Sequence, residues 1–290
     1  MRGRTIVIVG GTSGIGRALA EQLVLKNSVL IVGRSESKGR SFVEANPGSA
    51  YFCQEDVSLL RRIPDLVRQA RDLLGGVDFV VHTADNLRTK RLNTSEGLEV
   101  SIATNFYSRV LFNQLLLEEP DDRRPERIVH IALAGYPPSK NFIDFVPVPD
   151  SASSFKGHTI GQMANDFYGL SMRDKLNGQK TTINILNAGA VATEIRRNAE
   201  FPLLLKTVIN TVERLIGGRL RTPENYAAMV SKILSDENGA SNTHALLTSK
   251  GVGISGHARV NDVEVQQLLY SRTIRAIDDV LGDQALGNWL

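Results

Sequence analysis

Cysteine is nearly absent from this 290-residue chain. The single one, Cys53, excludes an internal disulfide and any zinc site built from cysteines, and it points to a reducing, intracellular setting. Long apolar runs are missing too. No stretch reaches the roughly 18 to 20 residues of a membrane span. Met1-Arg2-Gly3-Arg4 leads directly into a strand pattern with no signal-peptide core, so the expectation is a cytoplasmic protein with no membrane partner. Nor does one sign of charge dominate. The 34 basic and 31 acidic residues leave a net charge of +3, and pairs such as Arg61-Arg62 and Arg123-Arg124 read as solvated helix faces rather than a nucleic-acid footprint. The histidines show no spacing that suggests a metal site. What the chain does have is 42% apolar and 22% charged residues, enough for a large core in one globular domain over residues 1–290.

Short apolar runs alternate with helical patterns. Thr5 to Val9, Val29 to Val32, Ala50 to Cys53, Val77 to His82, Ile128 to Leu133 and Thr182 to Leu186 read as strands. Helices are expected from Gly14, near Ser37 to Ala45, from about Ser58 to Leu74, around Leu98 to Leu117 and around Gly157 to Leu176. Parallel neighbours require helical crossovers, so this order predicts an α/β fold: a Rossmann-type doubly wound parallel sheet with helices on both faces. Tyr136 to Ser154, rich in Pro and Ser, reads as an insertion loop at the rim of the active site. Phe201 to Ile216, within a segment 200–220, reads as an apolar flap over a substrate pocket. Thr222-Pro223 signals another helix start, Thr243 to Leu247 a strand, and residues 260–290 a C-terminal helical extension.

The first strand runs into Gly10-Gly11-Thr12-Ser13-Gly14-Ile15-Gly16 and then into a helix. Small residues there let the backbone approach a pyrophosphate, while the helix offers unpaired N–H groups and the positive end of its dipole. The second strand ends at Gly33-Arg34-Ser35, where a site preferring NAD places an acid against the ribose. Arg34, helped by Arg17 or Ser35, is suited instead to the 2′-phosphate of NADP(H), the expected cofactor.

With these motifs in order, the chain resembles the short-chain dehydrogenase/reductase family over roughly residues 4 to 250. Asp56-Val57 matches the family's acid that meets the adenine ring. Asn105 matches its helix asparagine. Gly189-Ala190-Val191-Ala192-Thr193 matches the stretch beside the nicotinamide, with Ala188 where the family has proline. The resemblance implies that Gly189, Val191 and Thr193 contact the cofactor, Thr193 through its carboxamide, and that the two long helices flanking the fifth strand build a homodimer or homotetramer.

Several family residues are replaced. The family's Asn-Asn-Ala-Gly is here His82-Thr83-Ala84-Asp85, leaving Thr83 and Ala84 as the expected cofactor neighbours. Leu133 stands where the family carries its catalytic serine. Counting back from Gly189, the Tyr-x-x-x-Lys pair falls on His158 and Gln162, while Tyr168 is followed by Met172 rather than lysine. The lysine serves partly to lower a tyrosine pKa otherwise near about 10. An imidazole, at about 6.5, needs no such help, so His158 is the candidate acid or base, with Gln162 one turn on and Asn105 nearby. The stretches Ile31 to Glu36 and Asn105 to Phe112 resemble a fungal branch of the family associated with polyketide and terpenoid biosynthesis, which implies a bulky apolar small-molecule substrate. The same residues leave open a redox-neutral isomerase or cyclase, or a nucleotide-binding protein without catalysis.

Overall fold

The computed structural model of the protein describes residues 1–189, 191, 221–236 and 243–282. Its strands are β1 (Thr5–Val9), β2 (Ser28–Gly33), β3 (Ala50–Gln54), β4 (Phe79–His82), β5 (Arg127–Ala132), β6 (Thr182–Asn187), β7 (Leu246–Leu247) and β8 (Gly253–Ile254). They form one sheet in the order β3-β2-β1-β4-β5-β6-β7-β8. All neighbours up to β7 are parallel, and β8 pairs antiparallel with β7. The strand order reverses between β1 and β4, which opens a crevice at the carboxyl ends of those strands. The sequence pattern missed β8 because two residues carry no periodicity.

The helices are α1 (Gly14–Leu23), α2 (Glu36–Ala45), α3 (Ile63–Leu74), α4 (Val100–Ile102), α5 (Ser108–Leu117), α6 (Ser154–Lys175), α7 (Pro223–Ser235) and α8 (Val263–Leu281). Successive strand residues face opposite ways. Ile6 and Ile8 pack with Leu19 of α1, Phe42 of α2 and Tyr226 of α7, whereas Val7 and Val9 face the layer holding Leu66, Phe112, Phe167 and Ile277. The helix expected from Ser58 begins later, at Ile63. The Asp56 carboxylate holds Ser58 in a local turn, and the Glu96 carboxylate accepts from the Leu60 and Arg61 N–H groups of a short 3₁₀ turn first.

Between α4 and α5 the chain winds through a π turn, Ala103–Tyr107. Such wide turns release backbone groups and occur at functional sites. The Tyr136 to Ser154 segment is pinned down rather than looped out: Phe142 stacks on Phe167 at 4.9 Å, and Arg272 of α8 donates to the Ile143 and Val146 carbonyls. α8 in turn lies over α6 and buries Leu269, Thr273, Ala276, Ile277 and Val280. The two long helices thus meet neighbours from their own chain, and every residue of α5 except Leu115 is buried. The 200–220 flap lies outside the described residues, as does the part of the 260–290 extension beyond residue 282.

Candidate active site

A cleft of about 430 Å³ opens at the crevice and is lined by the glycine turn, the end of β2, the β4 loop, the end of β5, the start of α6 and Gly189. Gly10 and Gly14 adopt left-handed backbone at φ +94° and +55°, which permits the sharp reversal into α1. Gly10 also sits so close to Ala84 that a Cβ would collide with that backbone. Ser13 stands at the N-cap of α1 without a side-chain cap bond, and the first turn holds no acid. The N–H groups and dipole of this helix therefore face the cleft uncompensated, a cradle that fits the pyrophosphate of a dinucleotide.

Thr12, Ile15, Gly16, Val57, Thr83, Ala84, Gly189 and Val191 all line the same cleft, Gly189 at φ +64°. Asp56 also lines it, with Oδ1 accepting from the Ser58 N–H and hydroxyl. Arg34 lines it as an exposed side chain, and among the described residues its guanidinium has no hydrogen bond or ion pair. Arg17 does not assist Arg34. Its guanidinium bonds Glu21 and the Lys38 carbonyl and lies over the Phe42 ring. Ser35 faces Ser37 at 3.4 Å and lies outside the cleft lining. Thr193 is outside the described residues.

Two glycines one turn apart let α6 lie against α4. A Cβ on Gly157 would overlap the Glu99 carboxylate, and one on Gly161 would meet the Asn105 Cβ at 3.3 Å. Glu99 caps α4 through the Ser101 and Ile102 N–H groups and accepts from the Ser154 hydroxyl at 2.5 Å, so one carboxylate ties both helix starts together. This docking presents His158 and Gln162 to the cleft. Leu133 lines it too, directly beyond β5, and its side chain can neither donate nor accept a hydrogen bond.

Facing His158 is Asp85, the residue that replaces the family's glycine. His158 Nε2 lies 3.1 Å from Oδ1 and 3.4 Å from Oδ2 of Asp85. Burial pushes the Asp85 carboxyl up, but His158, the Arg109 guanidinium and a hydrogen bond from Gln162 outweigh it and hold the group below its usual range. Arg109 is 1% exposed and donates to the Ile131 and Ala84 carbonyls. Burial lowers it to about 10, with Asp85 opposing the shift, so it stays cationic at neutral pH.

Asn105 is not at the cleft surface as the sequence suggested. It is fully buried, and its side chain is consumed by the backbone of Asn86: Oδ1 accepts from Asn86 N–H at 2.9 Å and Nδ2 donates to the Asn86 carbonyl at 3.3 Å. Its own carbonyl accepts from Asn165 Nδ2, which also donates to the Gly161 carbonyl. That double donation turns Asn165 Oδ1 toward His130 Nδ1, 2.7 Å away, which must then carry the proton. His130 Nε2 accepts from Asn113 Nδ2, and Asn113 Oδ1 accepts from His82 Nε2. Burial lowers the His82 pKa to about 3 and that of His130 well below its ordinary value, so both rings are neutral. Tyr168 stacks on His130 in this buried layer, far up its ordinary pKa range because of desolvation, and does not line the cleft.

No residue of 136–153 lines the cleft itself; contacts to Phe167 and α8 hold the segment on one side, and Arg91 of the β4 loop donates to its Pro149 and Ala152 carbonyls on the other. Sequence reasoning missed Asp85 as a partner, Arg109 beneath it, and Leu87 and Arg88 on the wall. The one available signal was the glycine-to-aspartate departure itself. Among the described residues no cluster of His, Cys, Asp and Glu is placed to hold a metal ion, and no helix is long and apolar enough to cross a membrane.

Residues 4–142 match the family described as short chain dehydrogenase. Retinol dehydrogenase 14 of Homo sapiens is 25% identical over 231 residues, 73% of this chain and 69% of that protein. Oxidoreductase andH of Emericella variicolor is 36% identical over 138 residues, 44% of this chain and 41% of that protein. A short-chain dehydrogenase structure from Streptomyces avermitilis superposes with a TM-score of 0.64 at 19% identity, covering 95% of each chain, a likeness of fold.

Proposed function

The chain belongs to the short-chain dehydrogenase/reductase family, and on that premise we propose that it is an NADP(H)-dependent oxidoreductase for a bulky apolar small molecule, with His158 in place of the family's tyrosine. The observation that carries the reading is the placement of His158 and Gln162 on the cleft while Tyr168 is turned into the core. The glycine turn and α1 would hold the pyrophosphate, Asp56 the adenine end, and Arg34 the additional phosphate that distinguishes NADP(H). When bound, the nicotinamide supplies or takes up a hydride. His158 then has the remaining task, to give a proton to the substrate oxygen or to take one from it, work for which an imidazole is the side chain suited near neutrality. Leu87, Ile131 and Leu133 offer the substrate an apolar wall. The human relative named for retinol supports an apolar substrate, and the fungal one named as an oxidoreductase supports the reaction class.

A second reading, a redox-neutral isomerase or cyclase, is favoured by one feature. The His158–Asp85 pair is a complete acid–base unit without any nicotinamide. One experiment separates the two. Enzyme, NADPH and polyketide or terpenoid carbonyl compounds are incubated, with reduced nicotinamide followed by absorbance and product by mass. Product heavier by two hydrogens, in step with NADPH loss, is expected. His158→Ala should lower that rate by about 10² to 10⁴ while leaving nucleotide affinity unchanged. An isomer formed with NADPH untouched establishes the second reading, and an undiminished rate in His158→Ala removes the histidine from the chemistry.

A further inference from the structure

Asp85 stands between two clamps. The carbonyl before it, Ala84 O, accepts from the buried Arg109 at 2.7 Å, and the residue after it, Asn86, exchanges two hydrogen bonds with the side chain of Asn105. Thr83 adds a third tie, its hydroxyl donating to the Val9 carbonyl at 2.9 Å. A loop residue held on both sides has its side chain aimed by the fold, and Asp85 is aimed at one nitrogen of one ring, His158 Nε2. That nitrogen faces both carboxylate oxygens and is therefore committed as a donor, which leaves Nδ1 as the working nitrogen of the imidazole.

We propose that Asp85 is a positioning residue: it holds His158 through Nε2 and leaves Nδ1 as the atom that exchanges a proton with the substrate oxygen. The inference rests on the reading of His158 given above. In the reducing direction the Nδ1–H bond of the imidazolium breaks and its electron pair returns to the ring. The proton forms the O–H bond of the product alcohol, whose new C–H bond takes the hydride that the nicotinamide supplies. The ring is left neutral with Nε2–H still donated to Asp85, and water restores the proton at Nδ1. In the oxidising direction neutral Nδ1 accepts the alcohol proton, and Asp85 supports the imidazolium that results. The charged and titratable neighbours of the pair are Arg109 from α5, with His82 at the end of β4 close to that guanidinium. Arg88 of the β4 loop lines the same cleft, and Gln162 of α6 is the neutral hydrogen-bonding neighbour. Arg109 ties the ends of β4 and β5 together and its charge stabilises the Asp85 carboxylate, which stays ionised although it is half-buried.

The test measures the ring and the rate separately on the full chain. The His158 ring protons are titrated by NMR, assigned with His158→Gln, and the rate is recorded against pH. In Asp85→Asn the imidazolium loses its facing carboxylate, so the His158 midpoint should fall by about 1 unit or more. The matching limb of the pH–rate profile should fall with it, and Asp85→Glu should restore part of both. Asp85→Gly, the family's own residue, is the second variant and should behave as Asp85→Asn does, with retained thermal unfolding confirming that it folds. A His158 midpoint unmoved in both variants overturns the inference. A midpoint that falls while the profile stays in place leaves the pairing supported and overturns the proton-transfer reading on which its catalytic part rests.

Discussion

At the end of β2 a single side chain sets the charge that an incoming ribose meets. Arg34 is exposed, lines the cleft and is not consumed by any neighbour among the described residues, whereas Arg17, the other candidate, is occupied by Glu21 and the Lys38 carbonyl. A hydrogen bond to a charged group contributes about 1.5 to 3 kcal/mol, so NADPH should bind at least about tenfold more tightly than NADH. Arg34→Asp should invert the order, because a carboxylate repels the phosphate and accepts from ribose hydroxyls. Calorimetric titration with both nucleotides reads this directly, and equal affinities in the parent chain would remove Arg34 from the site. This position was legible in the sequence because a strand end and its following residue fix where the side chain must stand. Asp85 was less so. Its departure from the family's glycine was visible, but the direction of its side chain depends on Arg109 and Asn105, distant in sequence.

Elements show the same contrast between local and long-range information. The strands and helices up to β6 follow from apolar periodicity and from the glycine turn, and the structure shifts most ends by only a residue or two. The π turn at Ala103–Tyr107 left no periodic signature, since one extra residue per turn is a local slip, and its Asn105 carbonyl is met from α6. There Asn165 satisfies the released Asn105 carbonyl and anchors a buried polar chain through His130, Asn113 and His82 that joins β4, β5, α5 and α6. A buried network of this kind is expensive to leave half satisfied. Asn165→Ala strands the His130 Nδ1–H and the Asn105 carbonyl at once, and we expect a loss of about 2 to 4 kcal/mol in urea unfolding with little change in slope. A loss under about 0.5 kcal/mol would mean that water or relaxation replaces the amide and that the network does not hold the π turn.

For the whole molecule, the convergence of the glycine turn, Arg34 and Asp56 on one cleft was readable because their motifs sit on consecutive elements, while the facing of His158 by Asp85 was assembled from β4, α5 and α6 and needed the fold. The same limit applies to assembly. The two long helices were expected to pair with a second copy, yet α8, the last described helix, lies along α6, with Lys175 over the Tyr270 ring and Arg272 bonded to the segment beside it. Leu269, Ile277 and Val280 are each at most 5% exposed, and burying such a side chain contributes about 1.5 to 3 kcal/mol. Displacing α8 therefore costs an amount comparable with much of a domain's net stability of about 5 to 15 kcal/mol. A partner would have to recover that before gaining anything from its own contact of about 800 Å² per side. The expected result is a single-chain particle in light scattering at micromolar concentration. Ile277→Asp should unseat α8, expose the apolar outer face of α6 and produce larger particles with retained secondary structure in circular dichroism. A parent chain that is already dimeric, with cross-links mapping to α5 or α6, would show that the face is open in solution and that α8 yields to a partner.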